Sequence, residues 1–244
     1  MISASKETGN SNHGLRRFCE RFERFTHRID LTLGVLDYLI SLCVMTTDDR
    51  EEVNKEPTPS GRNRIILDIL IGRPYETCHL FADALRMGDQ DCSDLINYLD
   101  FTKEVTDELD DRFSSLSVAD DNIRDHTVKL YKNFKKIVNS VGAIDNVRLC
   151  DSLFSKEVLN SDDVQDIKAG TNESDRNRCL LSKLIRSSSS KYDGFIQALR
   201  EDFILCELAA EIEQTPVTGH DLKLLIIGYL KTKERQEYRI IKEK

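Results

Sequence analysis

The chain has 244 residues, 39% of them hydrophobic and 32% charged, with a formal net charge of −8. This balance is too apolar for general disorder, and its acidity disfavours nucleic acid or an anionic membrane as partner. No apolar run reaches the roughly 20 residues of a bilayer span, and the polar leader Met1–Gly14 lacks the apolar core of a signal peptide.

Four prolines, eleven glycines and no tryptophan, with abundant Leu, Lys, Glu and Asp, point to helix. Leu15, Phe18, Phe22, Phe25 and Ile29 recur at three- and four-residue spacing, so they form one face of a first helix. Arg17, Arg21, Arg24 and Arg28 form a basic stripe on its other side. A second helix covers Thr32–Cys43, with Leu33, Leu36, Leu39 and Ile40 inward. Thr47 reads as the N-cap of a short acidic third helix carrying Asp48, Asp49, Glu51 and Glu52, acids that suit its positive end. Pro59 fits the opening of a fourth helix, which contains Arg62-Asn63-Arg64 and runs to Ile71. After the turn Gly72-Arg73-Pro74, a fifth helix holds Phe81, Ala84 and Leu85, and a sixth holds Leu95, Ile96 and Leu99.

Residues 100–124 read as an acidic, part-helical connector. Its Asp107, Glu108, Asp110 and Asp111 lack calcium-loop spacing and form a solvated face. The order of elements then returns. Leu130, Phe134, Ile137 and Val141 face inward, opposite a stripe of Lys129, Lys132 and Lys136. Val147, Cys150, Leu153 and Phe154 make the second helix, and Ser161 caps an acidic third with Asp162, Asp163 and Asp166. The fourth helix, from Glu173, carries Arg176-Asn177-Arg178. Tyr192, Phe195, Ala198 and Leu199 make the fifth, and Leu205, Leu208, Ala209 and Ile212 the sixth. Placing Arg62 on Arg176 keeps one register without a gap from Asp37/Asp151 to Arg86/Arg200, with about a third of positions identical: an internal repeat. Each copy, of roughly 85–90 residues, is long enough for its own core. The expected organisation is a leader (1–14), a first bundle (15–99), the connector (100–124), a second bundle (125–216) and a charged helical tail (217–244). The tail either caps the second bundle or opens a further region.

Each copy resembles a caspase recruitment domain, CARD, of the death-fold superfamily. The resemblance is carried by Ile66-Leu67-Asp68-Ile69-Leu70-Ile71-Gly72-Arg73, then Phe81 and Ala84-Leu85, with Leu42 to Asp49 matching the family's apolar-to-acidic segment. The second copy matches through Leu180-Leu181-Ser182-Lys183-Leu184, Phe195 and Ala198-Leu199. Gly72 precedes Arg73 where the family has Arg-Gly, and the second copy has no such turn. The Arg-x-Asp-Leu signature of death-effector domains is missing from the end of both units. The resemblance implies an all-α architecture of two tandem six-helix antiparallel Greek-key bundles. It also implies homotypic binding, in which a basic patch of helices one and four meets an acidic patch of helices two and three on a partner.

Catalysis has little support. Cys78 and His79 are adjacent on a helix and point apart. No caspase-type Gln-Ala-Cys-x-Gly, zinc spacing or phosphate loop occurs. No metal or cofactor is expected. The seven cysteines form no CxxC pair and read as buried free thiols of a reducing cytoplasm. The candidate partner-binding residues are therefore charged: Arg17, Arg21, Arg24, Arg62, Arg64, Lys129, Lys132, Lys136, Arg176 and Arg178 against Asp48, Asp49, Glu52, Asp162, Asp163 and Asp166. Opposite charges on different faces permit a head-to-tail contact that propagates into a helical oligomer. The paired arginines stand where a helix's own dipole does not favour cations, so a partner explains them better than stability does. The expected function is recruitment and oligomerisation of a CARD-containing adaptor or caspase in apoptotic or innate-immune signalling. Alternatives are the N-terminal signalling part of a larger cytosolic receptor, such as an RNA-sensing helicase or a Nod-like protein, and a decoy inhibitor of CARD assembly.

Overall fold

The computed structural model describes residues 31, 33–74, 77–87, 123–140 and 146–242, and every regular element among them is a helix. In chain order these are α1 (Leu33–Ser41), α2 (Thr47–Asn54), α3 (Pro59–Ile71), α4 (Thr77–Arg86), α5 (Asp125–Lys132), α6 (Phe134–Ser140), α7 (Asn146–Ser155), α8 (Ser161–Lys168), α9 (Glu173–Ile185), α10 (Ser189–Glu201), α11 (Cys206–Gln214) and α12 (Gly219–Lys242). The chain divides into two units. Unit one takes Met1–Asp120 with Lys223–Lys244, and unit two takes Asp121–Leu222. The expected first helix with Arg17, Arg21 and Arg24, the leader, the sixth helix of the first copy and nearly all of the connector lie outside the described residues.

The two copies share backbone detail that their side chains do not announce. α1 and α7 both end on a residue in the left-handed region, Cys43 (φ 58°) and Glu157 (φ 57°). In α1 the Cys43 N–H donates to Ile40 O (2.9 Å) and the Val44 N–H to Leu39 O (3.1 Å). In α7 the Glu157 N–H donates to Phe154 O (3.0 Å) and the Val158 N–H to Leu153 O (2.9 Å). This is the Schellman ending, which satisfies the last carbonyls of a helix and normally uses glycine. Buried Val44 and Leu39, or Val158 and Leu153, supply its apolar clasp.

Two residues later a reciprocal capping box opens the next helix. The Thr46 N–H donates to Asp49 Oδ2 (2.8 Å) and the Asp49 N–H to Thr46 Oγ1 (3.0 Å). Its equivalent pairs Asn160 N–H with Asp163 Oδ2 (3.1 Å) and Asp163 N–H with Asn160 Oδ1 (2.8 Å). The caps are therefore Thr46 and Asn160, one residue before the expected Thr47 and Ser161. The aspartate three residues on fixes the register, because only it reaches back to the cap's own N–H.

Each core follows the expected periodicity. Leu39, Val53, Ile66, Leu70, Phe81 and Leu85 are buried in unit one, as are Leu153, Ile167, Leu180, Leu184, Phe195 and Leu199 in unit two. Each such side chain contributes about 1.5–3 kcal/mol on burial. Gly194 on α10 lets that helix approach closely, since a Cβ there would lie 2.6 Å from Val158 Cγ2. Two local differences stand out. The first helix of unit two is broken at Asn133, whose Nδ2 donates to Lys129 O (2.9 Å) and Thr215 Oγ1 (2.7 Å). Phe154, one of the apolar residues read as making the second helix, is exposed.

The left-handed residues generate a test. Glu157 is exposed, so glycine there removes a Cβ penalty without opening a cavity. Glu157→Gly is expected to stabilise unit two by about 1 kcal/mol in chemical denaturation. Cys43→Gly is expected to give no such gain, because Cys43 is buried.

Candidate functional site

The short acidic helices were the expected acidic surface, and the structure treats them differently. On α2, Asp49 is 0% exposed. Beyond its capping bond, it accepts from the Arg73 guanidinium, from the Arg235 guanidinium, and from Thr232 Oγ1 at 2.7 Å. Arg73 also donates from Nε to Val44 O (2.8 Å). Glu52 is buried as well, its Oε2 lying 3.5 Å from Arg235 Nε. Asp49 and Glu52 therefore face inward and are not offered to a partner in this state. Asp48 is half-buried, and Glu51 remains outside.

On α8 the equivalent face is open. Asp162 and Asp166, one helical turn apart, are exposed. Lys183 Nζ, from α9, reaches Asp163 Oδ1 and Asp166 Oδ2, each at 2.8 Å. Burial pushes the Asp163 carboxyl up, but the bonds from Lys183 and the Asn160 backbone outweigh this and hold it below the usual carboxylate range. Lys183 is raised in turn: its bonds to Asp163 and Asp166 outweigh the loss of solvent.

The basic stripe of unit two is largely engaged within the unit. Lys129 Nζ donates to Glu213 O (2.6 Å), and Lys132 Nζ to Pro216 O and Asp221 Oδ2, both at 2.9 Å. Lys136 pairs with Glu211 at a half-exposed position. Lys129 thereby satisfies a carbonyl at the end of α11, where cations stabilise a helix.

The Arg-Asn-Arg motif is also partly structural. Arg62 Nη1 donates to Glu56 O (3.3 Å) and Pro57 O (3.1 Å), and Arg176 Nε donates to Gly170 O (3.2 Å), Glu56 and Gly170 being equivalent positions. Both arginines thus close the loop before their own helix. Asn63 and Asn177 are fully buried. The Leu31 N–H donates to Asn63 Oδ1 (3.4 Å), and Asn177 Nδ2 donates to Val138 O (2.9 Å). The last arginines diverge: Arg64 is exposed, while Arg178 is buried beside Asp175 at 3.0 Å.

Charge patterning gave no sign of the α10–α11 turn. Asp202 Oδ1 accepts the backbone N–H groups of Ile204 (2.9 Å) and Leu205 (3.3 Å), which lifts Phe203 and Ile204 outward. They are 94% and 65% exposed. Cys43 and Cys150 are buried free thiols as expected, but Cys206 is exposed. Among the described residues, no group of three His, Cys, Asp or Glu is placed to hold a metal, and no helix is long and apolar enough to cross a membrane.

The two capping aspartates should respond differently to mutation. Asp49→Ala strands the buried guanidinium of Arg73 beside the partly exposed one of Arg235 and is expected to cost about 3–5 kcal/mol. Asp163→Ala loses a partly exposed cap and is expected to cost about 1 kcal/mol. The depressed carboxyl of Asp163 gives stability that is complete above the ordinary carboxylate value and lost as pH falls through its folded value. Asp163→Asn should therefore flatten the acid limb of the melting-temperature profile.

A sequence model of the caspase recruitment domain matches the chain twice, over residues 20–109 and 121–215. No curated protein and no solved structure matches it. The two matched spans fall on the two copies of the repeat and together cover most of the chain. Family members are protein-interaction modules of signalling that bind other domains of their own kind. With its all-helical architecture and its duplicated match, the chain belongs to the caspase recruitment domain family and carries two such domains in tandem.

Proposed function

We propose that the chain recruits a CARD-containing adaptor or caspase in cytoplasmic apoptotic or innate-immune signalling, and that the open acidic face of α8 makes the contact. The supporting observation is the exposed pair Asp162 and Asp166 on one side of that helix. Asp166 is itself largely open, and its pair with the less exposed Lys183 contributes only about 0–1 kcal/mol. A partner's lysine or arginine can therefore bond Asp166 from outside while Lys183 keeps Asp163. Phe203 and Ile204 supply what charge alone does not. An apolar tip held outward by Asp202 has no folding role, and interfaces concentrate their affinity in aromatic anchors.

One observation favours a second reading, the decoy inhibitor. A head-to-tail assembly needs a basic face as well as an acidic one, and Lys129, Lys132 and Lys136 are engaged by α11 and the segment after it. A chain that binds through α8 but offers no return face would cap an assembly. Electron microscopy of the chain mixed with its partner separates the two, since co-filaments exclude the decoy.

The test is capture of the intact chain by a panel of caspase recruitment domains from adaptors and caspases. Asp162→Lys combined with Asp166→Lys is expected to weaken capture at least ten-fold while lowering stability by no more than about 2 kcal/mol, from the lost helix-end charge and the lost pair with Lys183. Phe203→Glu should do the same if the apolar tip is an anchor. Unchanged capture by the double variant would overturn the α8 reading.

A further inference from the structure

We infer that the first caspase recruitment domain is completed from beyond the second. α12 is an obligatory part of unit one's core, so unit one gains its fold, and with it any binding surface, only when the chain that follows unit two docks. The inference goes beyond the recruitment reading and holds whichever face of unit two makes the contact. α12 lies outside both family matches, which end at residues 109 and 215, and from Lys223 onward it belongs to unit one.

Five successive residues of α12, Leu224 to Gly228, are buried, and the four apolar ones are at most 5% exposed. Successive helical residues stand about 100° apart, so these five cover every side of the helix. A helix laid across a surface would bury one stripe. Thr232, further along, is buried as well. The contacts of α12 reach three separate segments of unit one. At the α1–α2 turn, a Cβ on Gly228 would lie 3.0 Å from Thr46 Cγ2. On α2, Thr232 Oγ1 (2.7 Å) and the Arg235 guanidinium both donate to Asp49. At the α3–α4 turn, Arg73 Nη1 donates to Ile227 O (3.5 Å) and Gly228 O (3.3 Å), and a Cβ on Gly72 would lie 3.8 Å from Lys231 Cδ. Without α12, Asp49 loses two donors, Arg73 loses two acceptors, and apolar side chains packed on the helix meet water. Unit two makes no such demand. It is contiguous from Asp121 to Leu222, and Lys132 ties its end back through Pro216 O and Asp221 Oδ2. Unit two therefore closes with residues it already holds, and unit one closes after it.

The test is hydrogen exchange on the full chain, read by mass spectrometry separately for α1–α4 and for α7–α11. Leu225→Asp puts a charge at a fully buried position of α12. It is expected to lower protection of α1–α4 by about a hundred-fold or more and to leave α7–α11 within about three-fold of the unaltered chain. Lys233→Asp, at an exposed position of the same helix, should change neither. Thr232→Val is the milder variant, since it keeps the shape and removes the bond to Asp49. A drop of roughly ten-fold spread over α1–α4 is expected from it. Unchanged protection of α1–α4 in Leu225→Asp overturns the proposal, because α12 would then be a dispensable cover. Equal loss in both units overturns it too, because the helix would then serve both. If Leu225→Asp gives no soluble chain, Thr232→Val decides alone, and a drop confined to the amides of α12 overturns the proposal.

Discussion

A carboxylate removed from water has to find its counter-charges inside the chain, and Asp49 sets that requirement for unit one. The helix that follows the Schellman turn needs an acid at its third position to complete the capping box. Once α12 covers that acid, desolvation makes an unpartnered charge prohibitive. Two guanidinium groups and a hydroxyl converge on it as a consequence, from positions 24, 183 and 186 residues away. Gly228 is small because α12 must come close enough for those bonds to form. The turn residue Arg73 is equally constrained: it must lie where it can bond Asp49, Val44 O and the backbone of α12 together.

The second copy keeps the same box and meets the requirement in another way. Asp163 is only partly buried, so one lysine and some water suffice, and Lys183 is shared with Asp166. The position equivalent to Arg73 is Ser187, whose hydroxyl donates to Leu184 O (2.7 Å) and caps its own helix. One backbone thus carries two different surfaces. The apolar pattern and the cap dictate the bundle, and the residues around the cap decide whether its acidic face is covered or open.

This division explains what could be read in the sequence. Periodic apolar positions, the ungapped register and the acid-rich start of the third helix depend on neighbours a few residues apart, so the core of each described helix and the duplicated family pattern were visible there. The Schellman endings were not, because cysteine and glutamate occupy positions that glycine would have marked. The inward turn of Asp49 and Glu52 was invisible for another reason. A charged side chain on a short helix looks the same whether it faces water or a cation, and one of the cations here lies far along the chain, in a tail expected to cap the second bundle or open a further region and found in unit one. Arg62 and Arg176 have a structural use that the sequence did not announce. They are poorly placed for the dipole of their own helix, yet each reaches back to a carbonyl of the preceding loop, which helix-dipole reasoning does not consider. Asn63 and Asn177 carried a signal in hindsight: a polar residue repeated between two arginines at the start of an otherwise apolar helix is a buried hydrogen-bonding group.

The internal engagement of cations changes what the net charge means. A formal charge of −8 over 244 residues is modest if both signs are spread over the surface. Among the described residues, Arg73, Arg178 and Arg235 are drawn into ion pairs in or near the interior, and Lys129, Lys132 and Lys183 are bonded to carbonyls or carboxylates of their own unit. Asp162 and Asp166, with Glu51, stay outward. Each such pair removes one charge of each sign and leaves the net charge as it is, but around Asp162 and Asp166 the described surface is locally acidic. Such a field raises encounter rates with basic faces and repels acidic ones, so it selects the sign of the partner before any contact forms. In the recruitment proposed above, shape and the apolar tip at Phe203 then have to separate one basic partner from another, which a screened surface charge cannot do alone.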